Sequence, residues 1–254
     1  MNLKKDTERW AKVVKELTTN GVPHHHVRRF PAVDGMLLSQ DELACNSTKL
    51  ARIFCTRGMI GCFLSHRNLW LDILNAESEG YQIVLEDDVI VPPDFLNQVK
   101  ERVGELENCE ETRDWDVLLL GAFSCVHPER KYGLFLSQAL LLGDGRKPRF
   151  VTKHCHIPHR PLGTHAYVLS KRGAQKLLKR IGKANYHLDC VAWSDSNLNL
   201  YMCNPMLAFQ DMSSASTLGA LETFLPKWQM DSYTKITLDW SLNEPFFRIG
   251  PLVV

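Results

Sequence analysis

Residues 81–89 read Tyr-Gln-Ile-Val-Leu-Glu-Asp-Asp-Val, and no other stretch constrains the chain as much. Ile83, Val84 and Leu85 form a short apolar run of the kind that makes a buried strand. The run stops at three consecutive carboxylates, Glu86, Asp87 and Asp88. Open α/β sheets bind ligands at the carboxyl ends of their strands. Acids crowded together repel one another unless a cation or ligand offsets them. Hard divalent cations such as Mg2+ and Mn2+ take oxygen ligands and bridge to substrate phosphates. The stretch therefore points to a metal-assisted site for a phosphorylated substrate, with a solvated acidic turn as the plainer alternative.

The rest of the chain alternates strand and helix signals. Trp10, Val13, Val14 and Leu17 share one helical face, and Gly21 is a plausible stop. Val27 to Phe30 reads as a short strand before a turn at Asp34-Gly35. Ser39-Gln40-Asp41-Glu42 has the capping-box pattern of a short helix. A helix is expected from Gly58 to Glu79, with Phe63, Trp70, Ile73 and Leu74 inside and Gly80 ending it. Asp94 can cap a helix whose apolar face is Phe95, Val99, Val103 and Leu106. Trp115 to Leu120 and Ala166 to Leu169 read as strands, and Ser170 caps a helix ended by Gly182. Met206 to Phe209 is strand-like. Residues 121–160 are the least regular part, and the tail from about 217 is irregular. Strands alternating with helices indicate α/β architecture.

With 254 residues and 44% hydrophobic content, the chain fits one domain over residues 1–254 with a sizeable core. A net charge of +1 argues against nucleic acid or a polybasic membrane surface as partner. No apolar run is long enough to span a bilayer. Met1 to Lys5 carries no secretory signal, so the chain as written is expected in the cytoplasm, or in the secretory pathway if residues precede Met1. The eight cysteines contain no C-x-x-C pair, which argues against a zinc ribbon or thioredoxin-type site. An even number permits disulfides without requiring them. Asn46-Ser47-Thr48 is a glycosylation sequon that matters only in the secretory pathway.

Ser65 and His66 interrupt a largely apolar helix, where a lone histidine is most often a hydrogen-bonded core residue. Asp189 follows an irregular segment and could be a helix cap. His24-His25-His26 and His154-Cys155-His156 with His159 suggest zinc, but neighbours on a strand point to opposite faces, so such a run is not expected to enclose a metal.

Several motifs stand in a telling order: Asn2-Leu3 with Arg9; Arg29-Phe30-Pro31-Ala32-Val33-Asp34-Gly35; Gly61-Cys62-Phe63-Leu64-Ser65-His66; Leu85-Glu86-Asp87-Asp88-Val89; and Gly163-Thr164-His165-Ala166-Tyr167-Val168-Leu169-Ser170. His187-Leu188-Asp189 and Pro205 to Gln210 follow. Together, over most of the chain up to about Ser216, they resemble glycosyltransferase family 25, which includes bacterial lipooligosaccharide galactosyltransferases and collagen hydroxylysine galactosyltransferases. The resemblance implies a GT-A type, Rossmann-like α/β/α sandwich with a mostly parallel central sheet. It implies a UDP-sugar donor, most often UDP-galactose, a divalent cation (Mn2+ or Mg2+), and inversion at the sugar carbon.

Carried onto this sequence, the resemblance makes Asp88 and Glu86 metal contacts within an Asp-x-Asp-like motif. It places Asn2, Arg9, Asp34, Ser65, His66, Glu86, Asp87, Gly163, Thr164 and Gln210 around the donor. Asp189 becomes the candidate base or acceptor contact, with Asp195 and Asp211 next. The family usually carries an apolar strand just before the Asn-Leu pair, whereas this sequence starts at Met1; lack of that strand is expected to weaken donor binding.

The leading expectation is a metal-dependent inverting transferase moving a hexose, galactose first, to a hydroxyl of a glycan, lipid-linked glycan or protein. The chemistry needs the leaving diphosphate neutralised, a base for the acceptor hydroxyl, and an oxocarbenium-like centre held in line. The runner-up is a catalytically inactive binding protein. A metal-dependent phosphohydrolase is the third reading.

Overall fold

The structure is a computed structural model describing residues 1–77, 80–122, 146–159 and 161–211. Strand β1 (Asn2–Leu3) is followed by helix α1 (Thr7–Thr19) and strand β2 (Pro31–Ala32). Helices α2 (Gln40–Asn46), α3 (Lys49–Phe54) and α4 (Arg57–Asn75) come next. Then follow β3 (Tyr81–Leu85), β4 (Val89–Ile90), α5 (Phe95–Asn108) and β5 (Val117–Leu119). The described part continues with β6 (Arg149–Phe150), β7 (Cys155–Ile157), β8 (Ala166–Ser170) and α6 (Lys171–Arg180). It ends with α7 (Leu188–Val191), β9 (Leu200–Cys203) and β10 (Phe209–Gln210). The irregular stretch within 121–160 is described only at its ends, and the expected tail lies outside the described residues.

The α/β class is as expected. The central sheet has six strands in the order β3-β8-β5-β9-β7-β6. Its strand directions correct the expectation of a mostly parallel sheet. Among the described residues of this sheet, only β5 and β9 pair in parallel, while β3–β8, β5–β8, β7–β9 and β6–β7 are antiparallel. The exception has a positional consequence. Because β8 runs against β3, it begins where β3 ends, with Ala166 opposite Leu85. The residues just before β8 are thereby brought beside the acids just after β3, and Glu86 N–H donates to the His165 carbonyl at 2.9 Å.

Alternation along the central strands sorts side chains into two cores, one on each face of the sheet. Tyr167 and Leu169 of β8, Val117 and Leu119 of β5, and Leu200 and Met202 of β9 face one core, with Phe63, Trp70 and Ile73 of α4 and Leu177 of α6. Ala166, Val168, Leu118, Tyr201 and Cys203 face the other, with Val13 and Leu17 of α1 and Phe95, Val99, Val103 and Leu106 of α5. Helices thus cover both faces, giving three layers. At the head of β5, fully buried Asp116 accepts from Arg172 Nε at 2.8 Å and Asn199 N–H at 2.8 Å, pinning α6 to the sheet.

Most local signals hold. Ser39 and Glu42 form the capping box, and Ser170 accepts from Gly173 N–H to start α6. Two expected strands shift. The one read at Val27 to Phe30 lies at Pro31–Ala32, and only Phe209–Gln210 of the last run pairs, antiparallel with β4. Asp94 stands at the α5 N-terminus, but with left-handed backbone (φ 57°) and no side-chain cap to the helix.

Candidate active site

The acids after β3 do not point one way, and each is held by a different part of the chain. Asp87 is a structural anchor. It accepts from Arg9 Nε at 2.9 Å and from Asn2 Nδ2 at 2.6 Å, tying β1 and α1 to the strand end. Asn2 in turn accepts from Arg29. The motif pair Asn2…Arg9 therefore reaches the acids directly.

Asp88 is held on one side only. Its Oδ2 accepts from Gln210 Nε2 at 2.8 Å and from Arg9 Nη2 at 3.1 Å. Its Oδ1 is buried and has no hydrogen-bond partner among the described residues. Burial, followed by the charge of Glu86, pushes the Asp88 carboxyl up to about 7, against the pull of Gln210 and Arg9. Asp211 N–H donates to the Asp88 carbonyl at 2.6 Å, and the Asp211 carboxylate pairs with Lys12.

Glu86 turns the other way. Its Oε1 lies 3.3 Å from His66 Nε2 and 2.9 Å from the Thr164 hydroxyl. Burial alone would raise its pKa. The hydrogen bond and charge of His66, the charge of His165 and the Thr164 hydroxyl together hold it down to about 2. Two carboxylates one residue apart are thus driven in opposite directions, a pattern typical of sites that divide chemical roles.

Thr164 joins Glu86 to Asp189, whose Oδ1 lies 2.8 Å from the same hydroxyl. One hydroxyl proton serves only one of these acceptors at a time. Asp189 sits in the first turn of α7, but the cap is His187, whose Nδ1 accepts from Asp189 N–H at 3.2 Å. The cap reading of Asp189 is therefore corrected. Gly163, at φ +100°, brings the two segments together: its N–H meets the Asp189 carbonyl at 3.3 Å, and its carbonyl accepts from Trp193. Asp195 lies in a turn, accepting from Asn197 N–H at 2.9 Å.

Two expected donor contacts have structural duties. Ser65 is buried, donates to the Gly61 carbonyl at 2.7 Å and accepts from Val33 N–H at 2.8 Å. Asp34 pairs with Lys5 at 2.6 Å and accepts from Met36 N–H at 3.1 Å. Both belong to one close approach between α4 and the 33–35 loop. A Cβ on Gly61 would stand 2.6 Å from Gly35 N. The hydrogen bonds of Ser65 and the ion pair and hydrogen bond of Asp34 all lead away from the acids after β3.

Three residues with no expected role complete the cluster. The Tyr167 hydroxyl accepts from Trp70 Nε1 at 2.9 Å and lies 2.9 Å from His66 Nδ1, fixing that imidazole from behind. Cys62 lies on the same side of α4. The spacing Cys62, His66, Trp70 was the available signal, because residues four apart share a helix face.

The residues fit a hard cation at Asp88. A buried carboxylate oxygen without a partner is costly unless a proton or cation meets it. Mg2+-type sites commonly use one or two carboxylates and complete their shell with phosphate and water. The carboxylates of residues 86–88 do not gather as three ligands. Among the described residues, the sets of three whose ligand atoms all lie within 4.8 Å are Cys62–His66–Glu86 and Glu101–Glu105–His154. His154 is thus the member of the histidine-rich segments that such a set includes.

These features define an α/β protein with a polar, acidic site at the carboxyl end of a sheet strand. A family model described as "Glycosyltransferase family 25 (LPS biosynthesis protein)" matches residues 1–192. The chain belongs to glycosyltransferase family 25. It is 27% identical over 187 residues to a glycosyltransferase 25 family member of Anopheles gambiae, covering 70% of this chain and 28% of the relative. It is 29% identical over 131 residues to procollagen galactosyltransferase 2 of Homo sapiens, covering 48% and 20%. It is 32% identical over 123 residues to the probable inactive glycosyltransferase 25 family member 3 of Bos taurus, covering 48% and 18%. The matched part is less than a third of each relative's length. No helix among the described residues is long and apolar enough to cross a membrane.

Proposed function

We propose that the chain is a metal-dependent inverting glycosyltransferase that moves a hexose, galactose first, from a UDP-sugar to a hydroxyl of a glycan, lipid-linked glycan or protein. The observation that carries this reading is the unpartnered, buried Oδ1 of Asp88 at a strand end, in a chain of this family. Asp88 would hold Mn2+ or Mg2+, which as a Lewis acid stabilises charge on the leaving diphosphate. Arg9 and Gln210 fix the other Asp88 oxygen, so the free one keeps its direction. Glu86, held at Oε1 by His66 and Thr164, is left out of this cation's shell.

Asp189 is assigned the acceptor proton. Thr164 orients its Oδ1, and its Oδ2 lies 3.6 Å from His187 Nδ1. An inverting reaction removes that proton on the face opposite the departing diphosphate. A separate carboxylate, anchored on α7 rather than on β3, suits that division. The names of the procollagen galactosyltransferase relatives support galactose as the first sugar to test.

A donor screen with Mn2+, reading UDP release with and without acceptors, tests the reading. Turnover of UDP-galactose or UDP-glucose in preference to GDP- or CMP-linked sugars is expected. A clear preference for a GDP-sugar overturns the donor class. Phosphate release that needs no acceptor favours a phosphohydrolase. Tight donor binding with no turnover favours the inactive reading, which the name of the Bos taurus relative also brings into view.

A further inference from the structure

Cys62, His66 and Glu86 offer a thiol, an imidazole and a carboxylate whose ligand atoms all lie within 4.8 Å of one another. These are the three side-chain types that bind Zn2+. A tetrahedral zinc with bonds of about 2.0–2.3 Å holds its ligands roughly 3.3–3.8 Å apart, so a small contraction closes the set. Cys62 and His66 are four residues apart on α4 and share a face, while Glu86 arrives from the end of β3. A rigid helix and a sheet strand thus supply the ligands.

The surroundings of His66 point the same way. Metal-bound histidines are held by a hydrogen bond to their other ring nitrogen. Tyr167 holds His66 Nδ1 at 2.9 Å, itself fixed by Trp70, and leaves Nε2 aimed at Glu86 Oε1 at 3.3 Å. His66 is fully buried, whereas Cys62 and Glu86 are partly exposed, which gives an ion a way in.

We propose that Cys62, His66 and Glu86 form a binding site for a thiophilic divalent cation of the Zn2+ class, distinct from the hard-cation position at Asp88. Cys62 coordinates as thiolate, giving its proton to solvent. The imidazole carries its proton on Nδ1, where the Tyr167 oxygen can accept it. Three protein ligands leave a fourth position for water. Ligand softness separates the two positions, since thiolate selects zinc-like ions and lone carboxylates select Mn2+ or Mg2+. The site goes beyond the transferase reading and does not depend on it.

The test uses the full chain without donor, titrated with Co2+ as a spectroscopic stand-in for Zn2+. Wild type is expected to develop a thiolate-to-cobalt charge-transfer band and intense tetrahedral visible bands. Zn2+ should abolish both, and equimolar Mn2+ should leave them in place. Cys62→Ser should lose the charge-transfer band and weaken Zn2+ binding at least about tenfold, because even indirect ligand supports are worth that much. A circular dichroism spectrum matching wild type would establish that this variant folds. Absence of a thiolate band in wild type, or its persistence in Cys62→Ser, overturns the proposal. Because nothing in the readout involves sugar transfer, its failure and failure of the transferase reading are separate results.

Discussion

Asp88 and Glu86 are separated by one residue yet are driven to about 7 and about 2. Geometry explains the split: Glu86 has a histidine and a hydroxyl on its oxygen, whereas Asp88 keeps one oxygen buried and unpartnered. An aspartate in the unfolded chain titrates near 3.8. Between that value and about 7 the folded protein holds a proton that the unfolded chain has released, so Asp88 lowers stability as pH rises through this window. Above it, the charge stands in the fold until a cation meets it. The metal-free protein should therefore melt lower at about pH 8 than at about pH 6 on account of this group, and Asp88→Asn should remove that slope. Thermal melts of both proteins across the range check this, and an unchanged slope in the variant would refute the assignment. The same charge is what a hard cation needs. UDP binding should require Mn2+ or Mg2+ and fall at least about tenfold in Asp88→Asn, and equal affinity with EDTA present would sink the metal reading. Asp189 makes a complementary prediction. Asp189→Asn should keep Mn2+-dependent UDP binding while turnover falls by about a hundredfold or more, the scale of a lost general base. Near wild-type transfer by that variant would reduce Asp189 to a positioning contact with Thr164. The acids could be read in the sequence because three carboxylates after an apolar run are conspicuous. Their separate partners could not, because those partners lie as far apart in the chain as Asn2 and Gln210.

At the level of elements, the signals that rest on near neighbours were legible. The Ser39–Glu42 capping box, the Ser170 cap and the apolar face of α5 all depend on residues within a turn or two of each other. Strand direction was not legible, because Ile83 or Val168 pack equally well in a parallel or antiparallel pair. The Gly61–Ser65 segment shows the same limit. Its hydroxyl reads as a donor-pocket feature, but Gly61 lets α4 approach the 33–35 loop, and Ser65 receives Val33 N–H there. Gly61→Ala places a carbon 2.6 Å from Gly35 N and 2.7 Å from the Val33 carbonyl oxygen. Helix and loop must then separate, which should cost about 1–3 kcal/mol, the usual range for overpacking. Denaturant unfolding measures it, and a change below about 0.5 kcal/mol would mean that the loop gives way freely.

Across the whole molecule, the site is built from residues spread between Asn2 and Gln210, joined at the ends of β3 and β8. The antiparallel course of β8 is what allows this, since it delivers Gly163 and Thr164 to the acids instead of to the opposite end of the strands. One consequence is that the acids at this site are held from both faces of the sheet, by α1 through Arg9 and by α4 through His66, and a ligand proposed to sit on them would depend on both. Such a ligand binds only the assembled fold, so it must raise unfolding stability by mass action, about 2.7 kcal/mol at a hundred times its dissociation constant. For a chain of this size that corresponds to roughly 5–10 °C in Tm. UDP with Mn2+ should therefore raise Tm by this amount, with neither UDP in EDTA nor Mn2+ alone reaching it. Differential scanning calorimetry with the three conditions side by side decides the matter. A full shift with UDP in EDTA would mean that the nucleotide is held by Arg9 and the backbone without a cation, and the free oxygen of Asp88 would then need another explanation.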